Sequence, residues 1–443
     1  MPNLLGDSLI SSSLSESNSV LARFDFSAAR RDLLEWFDAY GRKFPWRDNP
    51  TPYRVWISEI MLQQTTTQTV VGYFERFLAR FPDVVSLAEA NEETVLKYWE
   101  GLGYYRRARA LRAAAVSIVQ RFNGVFPNRY EDVLSLPGVG KYATGAILSF
   151  GFNLPFPILE VNTTRLHSRL LALREDTTTT NSQRLLWKFA DVWLYEDKKD
   201  KTNVVPNYFR RLNGALMDLG RLICTPKEPR CVDCPLEKYC EGRRLNLQGL
   251  LPVLRKKKEI VKRTDVAFWI TRGDLEKNCP RQNRTDVLLI LRPAGVLWAG
   301  LWDFPRFEIL DPRFRDASRL FNDINLSDRL QFFLSDQRLS KDGDFRADDV
   351  LTTFTHSVTR YRVSLRLSRI VDASSENYVQ KRPYLFDEQE MINATTPGEL
   401  ALEKDACKVE ELRWVGVDRL EEYPLSSPGR KIARFIENFT RTE

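Results

Sequence analysis

Leu136-Pro137-Gly138-Val139-Gly140-Lys141 lies between two stretches of helical hydrophobic spacing, a short one closing over residues 132–135 and a longer one running from 141 to 150. Gly138 and Gly140 let the backbone approach a ligand without Cβ interference. The amides at the start of the second helix suit a phosphate. Contacts of that kind hold a backbone and carry no base sequence information. A plain helix turn is the bland alternative.

Upstream, Trp56-Ile57-Ser58-Glu59-Ile60-Met61-Leu62-Gln63-Gln64-Thr65 places apolar residues at helical spacing. Ser58 is a candidate helix start, which puts Glu59 in a first turn against an apolar face, and one long helical pattern is expected over residues 57–81. A carboxyl in such surroundings has its pKa raised and serves as a general acid, although a first-turn Glu also simply complements the helix dipole. Residues 25–40 form an amphipathic pattern, broken at Phe44-Pro45-Trp46-Arg47, a Pro-marked loop in which Trp46 is either a packing aromatic or part of a pocket. Asn91 opens a further helix and Gly101 closes it. Gly101-Leu102-Gly103-Tyr104-Tyr105-Arg106-Arg107 is then an aromatic turn leading into a basic helix, suited to stacking on bases and contacting phosphates.

Downstream, Glu160-Val161-Asn162-Thr163 opens another helix, with Asn162 or Thr163 as its cap and Glu160 just ahead of it. An ionised carboxylate is favoured at such a helix start and can face a developing positive charge. Residues 208–222 form one more helix. Cys224, Cys231, Cys234 and Cys240 follow within 17 residues, enough thiolates for one iron–sulfur cluster or, on spacing alone, one zinc ion. Beyond a basic stretch at residues 255–263 the pattern changes to strands, at 266–271, 287–292, 301–309 and 361–370, with a closing helix over 427–439.

The chain has 443 residues, enough for two or three domains, and its 43% hydrophobic and 28% charged content is that of a globular protein. A net charge of +7, from 66 Lys and Arg against 59 Asp and Glu, is modest, so any nucleic-acid surface must be local. No apolar run reaches membrane-spanning length, and no membrane partner is expected. The Ser-rich residues 1–22 lack the basic start and apolar core of a signal peptide and are expected to be a disordered tail. Clustered cysteines point to a reduced compartment rather than a disulfide framework.

Taken in this order, the Glu59 helix, the Leu-Pro-Gly-Val-Gly hairpin and the four cysteines resemble the helix-hairpin-helix DNA glycosylases that carry an iron–sulfur cluster, and most closely the MutY family, which removes adenine opposite 8-oxoguanine. The resemblance runs over residues 25–440. It implies an α+β multidomain chain: an all-α helix-hairpin-helix glycosylase domain at 23–245 with a [4Fe–4S] loop at 224–240, a basic linker at 246–264, and an α/β Nudix-like lesion-recognition domain at 265–443. Glu59 matches the family's general acid, and Glu160 stands where the family carries Asp as transition-state stabiliser. Tyr142 and Asn162 match supporting residues, and Trp46 and Arg47 belong to the adenine pocket. Gln64 and Tyr104 match intercalating positions, with Gln63, Thr65 and Leu102 beside them, and Gly138, Val139 and Gly140 match the backbone-binding hairpin. Thr355 and His356, in Phe354-Thr355-His356-Ser357, resemble the Phe-Ser-His loop that contacts 8-oxoguanine, while no glutamate-rich hydrolase box is visible.

The departures are Glu160 for Asp, Val161 for Gly, Gly214 where the family has Gln or Glu, and Thr355 for Ser. The implied partner is duplex DNA with A:8-oxoguanine or A:G mispairs, bound by a monomer. The implied place is the cytoplasm, with the nucleoid, in a bacterium, and the nucleus or mitochondrion in a eukaryote. Two rivals remain at this point: an endonuclease III-like glycosylase/lyase, whose lysine would fall at Tyr142, and a catalytically weak lesion-binding protein. A related glycosylase of altered base preference is a third form of the same reading.

Overall fold

Asp25, Thr51, Thr66, Asp83 and Asn91 each accept the backbone N–H of the third residue ahead, and a helix starts at each. The computed structural model describes residues 13–194, 206–254, 259–275, 285–293, 298–308, 333, 345–358, 361–372 and 411–442. It divides into two units, residues 1–257 and 258–443.

The first unit is helical: α1 (Ser13–Arg23), α2 (Phe26–Tyr40), α3 (Pro45–Asp48), α4 (Pro52–Leu62), α5 (Thr67–Arg80), α6 (Val84–Glu89), α7 (Glu92–Trp99), α8 (Arg106–Phe122), α9 (Tyr130–Leu134) and α10 (Lys141–Ala146). Helix α10 continues as a π-helical turn (Ile147–Gly151), followed by α11 (Val161–Leu170), α12 (Thr180–Val192), α13 (Tyr208–Leu222) and α14 (Glu241–Arg244). Leu33 of α2, Leu166 and Leu170 of α11, Phe189 of α12 and Leu212 and Leu219 of α13 share one buried core with Trp193.

Four expectations change here. Residues 13–22, expected within the disordered tail, lie in α1: Val20 and Leu21 are buried, and the Ser17 hydroxyl donates to Leu171 O at 3.2 Å. The long 57–81 pattern is two helices. Gln64 takes a left-handed φ of 59°, and Thr66 caps a new start, so α4 cannot continue into α5. Thr51 with Pro52, and not Ser58, opens α4, so Glu59 lies beyond the first turn; the Ser58 hydroxyl donates to Val55 O within the helix. The Pro45 loop also forms a turn of helix, α3.

The second unit is mixed α/β. Strand β1 (Val261–Trp269) pairs in parallel with β6 (Tyr361–Asp372), from Val261 opposite Tyr361 to Trp269 opposite Arg369. With β4 (Arg306–Glu308) and β5 (Phe345–Val358) they form a sheet of order β4-β1-β6-β5. A second sheet, β3-β2-β7, joins β2 (Val287–Leu291), β3 (Trp302–Asp303) and β7 (Glu411–Val415). A short α15 (Arg272–Leu275) follows β1, and α16 (Ser427–Thr442) closes the chain. Ala267, Leu289, Trp302, Leu365, Ile432 and Ile436 meet in its core.

The expected linker at 246–264 ends early, because Val261, Lys262 and Arg263 already pair in β1. Thr355 and His356 sit in β5, opposite Ser364 and Val363, rather than in a loop. The expected strand at 301–309 is two short strands, and neither β5 nor β7 was expected from the sequence. Residues 1–12, Arg255–Lys258, Cys279, Ala294–Leu297, Ile309 and Cys407 lie outside the described residues. Among the described residues no helix is long and apolar enough to cross a membrane.

Candidate active site

Helix α4 carries Glu59 on the side turned into the unit, and only 5% of the residue is exposed. The Tyr142 hydroxyl, delivered by α10, donates to Glu59 Oε2 at 2.6 Å. Burial pushes the Glu59 carboxyl up to about 7, and the nearby Glu160 charge adds to the rise. The Tyr142 hydrogen bond pulls the other way. Burial and the two carboxylates also push the Tyr142 phenol well above its ordinary range, so it keeps its proton.

Glu160 was expected just ahead of a cap at Asn162 or Thr163; it is itself the cap of α11. Its Oε1 accepts from the backbone N–H of Asn162 at 2.8 Å and of Thr163 at 2.9 Å, and its Oε2 from Asn162 Nδ2 at 3.0 Å. Asn162 Oδ1 in turn accepts from Arg165 at 2.9 Å. The extra methylene of Glu therefore curls the carboxylate back over its own helix start. Burial holds the Glu160 carboxyl above its ordinary value, although the backbone donors, Arg165 and the Asn162 amide draw against it. Val161, beside it, is 76% exposed.

Both carboxyls open on one cavity of about 860 Å³, whose lining includes Tyr142, Asn162, Trp46, Arg47 and Gln63–Thr65. Trp46 is 6% exposed and stacks on Phe44 at 4.8 Å and 7°, so packing and lining are both its work. Arg47 forms a two-pronged pair with Asp218, at 2.7 and 3.0 Å, which also accepts the Arg42 backbone N–H. Asp218 was missed by the sequence reading. Its signal was available: it stands four residues after Gly214 in α13, on the same helix face. At Gly214 a Cβ would sit 3.2 Å from Phe37 Cζ, so the Phe37 ring takes part of the space a side chain there would need.

Other expected residues lie outside this cavity. Tyr104 is 52% exposed with φ 49°, while Leu102 is buried. Gly138 has φ 74°, and a Cβ there would meet Ala110 Cβ at 2.5 Å, so glycine is required twice over. Gly140 faces open space. Val139 is buried and its N–H is taken by Leu136 O at 3.1 Å, which leaves it shaping the hairpin rather than offering an amide. The Lys141 ammonium rests 3.9 Å from the centre of the Trp187 ring and does not line the cavity.

The four cysteines are free thiols lining one small cavity together with Arg169 and Arg243. Arg169 Nη1 donates to Cys224 Sγ at 3.2 Å, and burial pushes Cys234 and Cys240 up to about 12. Among the described residues no three His, Cys, Asp or Glu side chains converge as a single-ion site. In the second unit, His356 lies 5.5 Å from Trp298, and Arg306 stacks over Trp298 at 4.2 Å.

Residues 57–191 match the family model of the HhH-GPD superfamily base excision DNA repair proteins. The adenine DNA glycosylase of Buchnera aphidicola subsp. Baizongia pistaciae is 36% identical over 277 residues, covering 62% of this chain and 72% of the relative. That of Mus musculus is 31% identical over 322 residues, covering 63% and 61%. A solved thermostable thymine-DNA glycosylase is similar with a TM-score of 0.42 and 23% identity, over 52% of this chain and 98% of that one. With its two carboxyls, hairpin and helical core in this order, the chain belongs to the adenine DNA glycosylase family of the HhH-GPD superfamily.

Proposed function

We propose that the protein excises adenine from DNA by hydrolysing its N-glycosyl bond, acting on adenine opposite 8-oxoguanine or guanine. The observation that carries this is the Tyr142–Glu59 hydrogen bond beside the Glu160 carboxylate in one cavity. Breaking the bond needs a proton on the leaving purine and a negative charge for the oxocarbenium-like sugar. Glu59, protonated near neutral pH by burial, supplies the first. Glu160, fixed by three N–H donors, supplies the second. A stacked base cannot reach this cavity, so the nucleotide is flipped out, with Gln64 and Tyr104 filling the gap and the Gly138–Gly140 hairpin holding the backbone. Trp46 and Arg47 hold the flipped adenine.

Lys141, held on Trp187, disfavours the lyase reading. Thr355 and His356, on a Nudix-like second domain, are proposed to read 8-oxoguanine. Cys224, Cys231, Cys234 and Cys240 would hold a [4Fe–4S] cluster; four thiols around a cavity suit it, and it would staple the loop after α13. Iron analysis of the purified protein checks this, and stoichiometric zinc without iron overturns it. The protein is proposed to work as a monomer, at the nucleoid of a bacterium or in the nucleus or mitochondrion of a eukaryote, which sizing chromatography and imaging of the tagged protein would check.

Single-turnover excision on duplexes with adenine opposite 8-oxoguanine, guanine and thymine tests the central claim. Rates should fall in that order, and His356→Ala should narrow the first step alone. A rate opposite 8-oxoguanine no faster than opposite thymine overturns the mispair assignment.

A further inference from the structure

Arg107 has no part in the proposed function, yet its guanidinium donates to five backbone carbonyls. Nη1 donates to Ile60 O at 2.7 Å, Met61 O at 3.0 Å and Gln63 O at 2.5 Å. Nη2 donates to Leu102 O and Gly103 O, each at 3.2 Å, and lies 3.5 Å from Thr65 Oγ1. The first set belongs to the end of α4, where the last turn's carbonyls have no helical partner. A cation there also meets the negative end of the helix dipole. The second set belongs to the turn after α7. The two segments are some forty residues apart in the chain, and one side chain ties them together.

What the two segments present is alike. Gln64 and Tyr104 are both exposed, and both hold left-handed backbone, at φ 59° and 49°, without being glycine. That conformation is uncommon for such residues and persists where surroundings impose it. Here the carbonyls immediately before each, of Gln63 and Gly103, are both held by Arg107. The guanidinium also lies over the Trp99 ring at 5.2 Å and the Tyr104 ring at 5.6 Å.

We infer that Arg107 is a positioning residue that fixes Gln64 and Tyr104 as one rigid wedge, so that both enter the base stack together when the nucleotide is extruded. The inference rests on the proposed wedge role of Gln64 and Tyr104. A lysine cannot replace it, because an ammonium is a point charge without the planar fork that reaches both segments.

The test uses the full chain and a fluorescent purine at the target position, whose emission reports extrusion. Arg107→Lys should lower extrusion and single-turnover excision from a paired duplex about tenfold or more, as expected when a small misplacement disturbs a preorganised group. On a duplex whose target adenine is already bulged, extrusion has been supplied, and excision should return to within about threefold of wild type. Equal loss on both duplexes means a merely structural role and overturns the inference, as does no loss on either. A second measurement needs no Arg107 variant. In the wild-type background Gln64→Ala and Tyr104→Ala should each reduce extrusion, and their effects should be non-additive. Additive losses overturn the clamp while leaving the wedge intact; no loss from either removes the wedge reading, and the clamp with it.

Discussion

Glu59 and Glu160 are the same side chain opening on the same cavity, and the backbone around them makes them different reagents. Glu59 stands within α4, where the backbone N–H groups are spent on the helix, and it accepts from the Tyr142 hydroxyl. Burial without backbone donors favours the neutral acid, and its pKa rises to about 7. Glu160 stands at a helix start, where free N–H groups exist by necessity, and it collects two of them plus an amide. Those donors draw against burial, which is the larger influence and still leaves the carboxyl above its ordinary value. The proposed acid and the proposed anion thus differ in the donors that their positions along a helix supply.

The largest expected effect is on the acid. Glu59→Gln keeps shape and removes the proton source, and should cost ~10²–10⁴-fold in single-turnover excision with duplex binding retained. It should also change stability against pH. The folded carboxyl titrates near 7, above its ordinary value of 4.5, so the stability it contributes is full below about 4.5 and is lost as pH rises through about 7. The Gln variant should lack that loss. Denaturant titrations of both proteins across pH 4–8 would show it, and parallel curves would mean Glu59 is not held protonated.

The anion comes next. Glu160→Gln removes the charge and one acceptor and should slow excision ~10²-fold or more, losing about 1 kcal/mol of stability with the cap. Glu160→Asp keeps charge and cap but withdraws the carboxylate by a methylene, and should slow excision about tenfold without destabilising the fold. An Asp variant faster than wild type would show that the curled Glu is a handicap rather than the geometry the cavity is built around.

The smallest effect sharpens the contrast most. Because the Tyr142 hydroxyl draws the Glu59 carboxyl down, Tyr142→Phe should let it rise further. The alkaline limb of the single-turnover pH profile should then move up by about one unit, with only a few-fold change in the plateau. A downward shift would mean that Tyr142 acts on the protonated form instead.

Several features were legible in the sequence for local reasons. The hairpin, the helices at 26–40, 92–99 and 208–222, and the cysteine set follow from hydrophobic period, caps, glycines and spacing, all written within a few residues. Glu59 and Glu160 were legible as candidates through the same local logic and the family resemblance. Their registers were not. Ser58 looked like a cap, but Thr51 with Pro52 starts the helix earlier, and Asn162 or Thr163 looked like the cap that Glu160 turns out to be. The β5 and β7 strands were hidden because a strand is decided by a partner distant in sequence.

What the sequence determined by itself is therefore the inventory: a helical unit with a glycine hairpin and clustered thiols, followed by a strand-rich unit, with two carboxyls to work with. What only the tertiary structure decided is each carboxyl's environment and the contacts that span the chain. Tyr142 reaches Glu59 across 83 residues, Asp218 orients Arg47 across 171, and Arg107 joins two turns that no local pattern connects. The reason is physical. Secondary structure answers to neighbours three or four residues away, whereas burial, and with it protonation, answers to whatever the fold packs alongside.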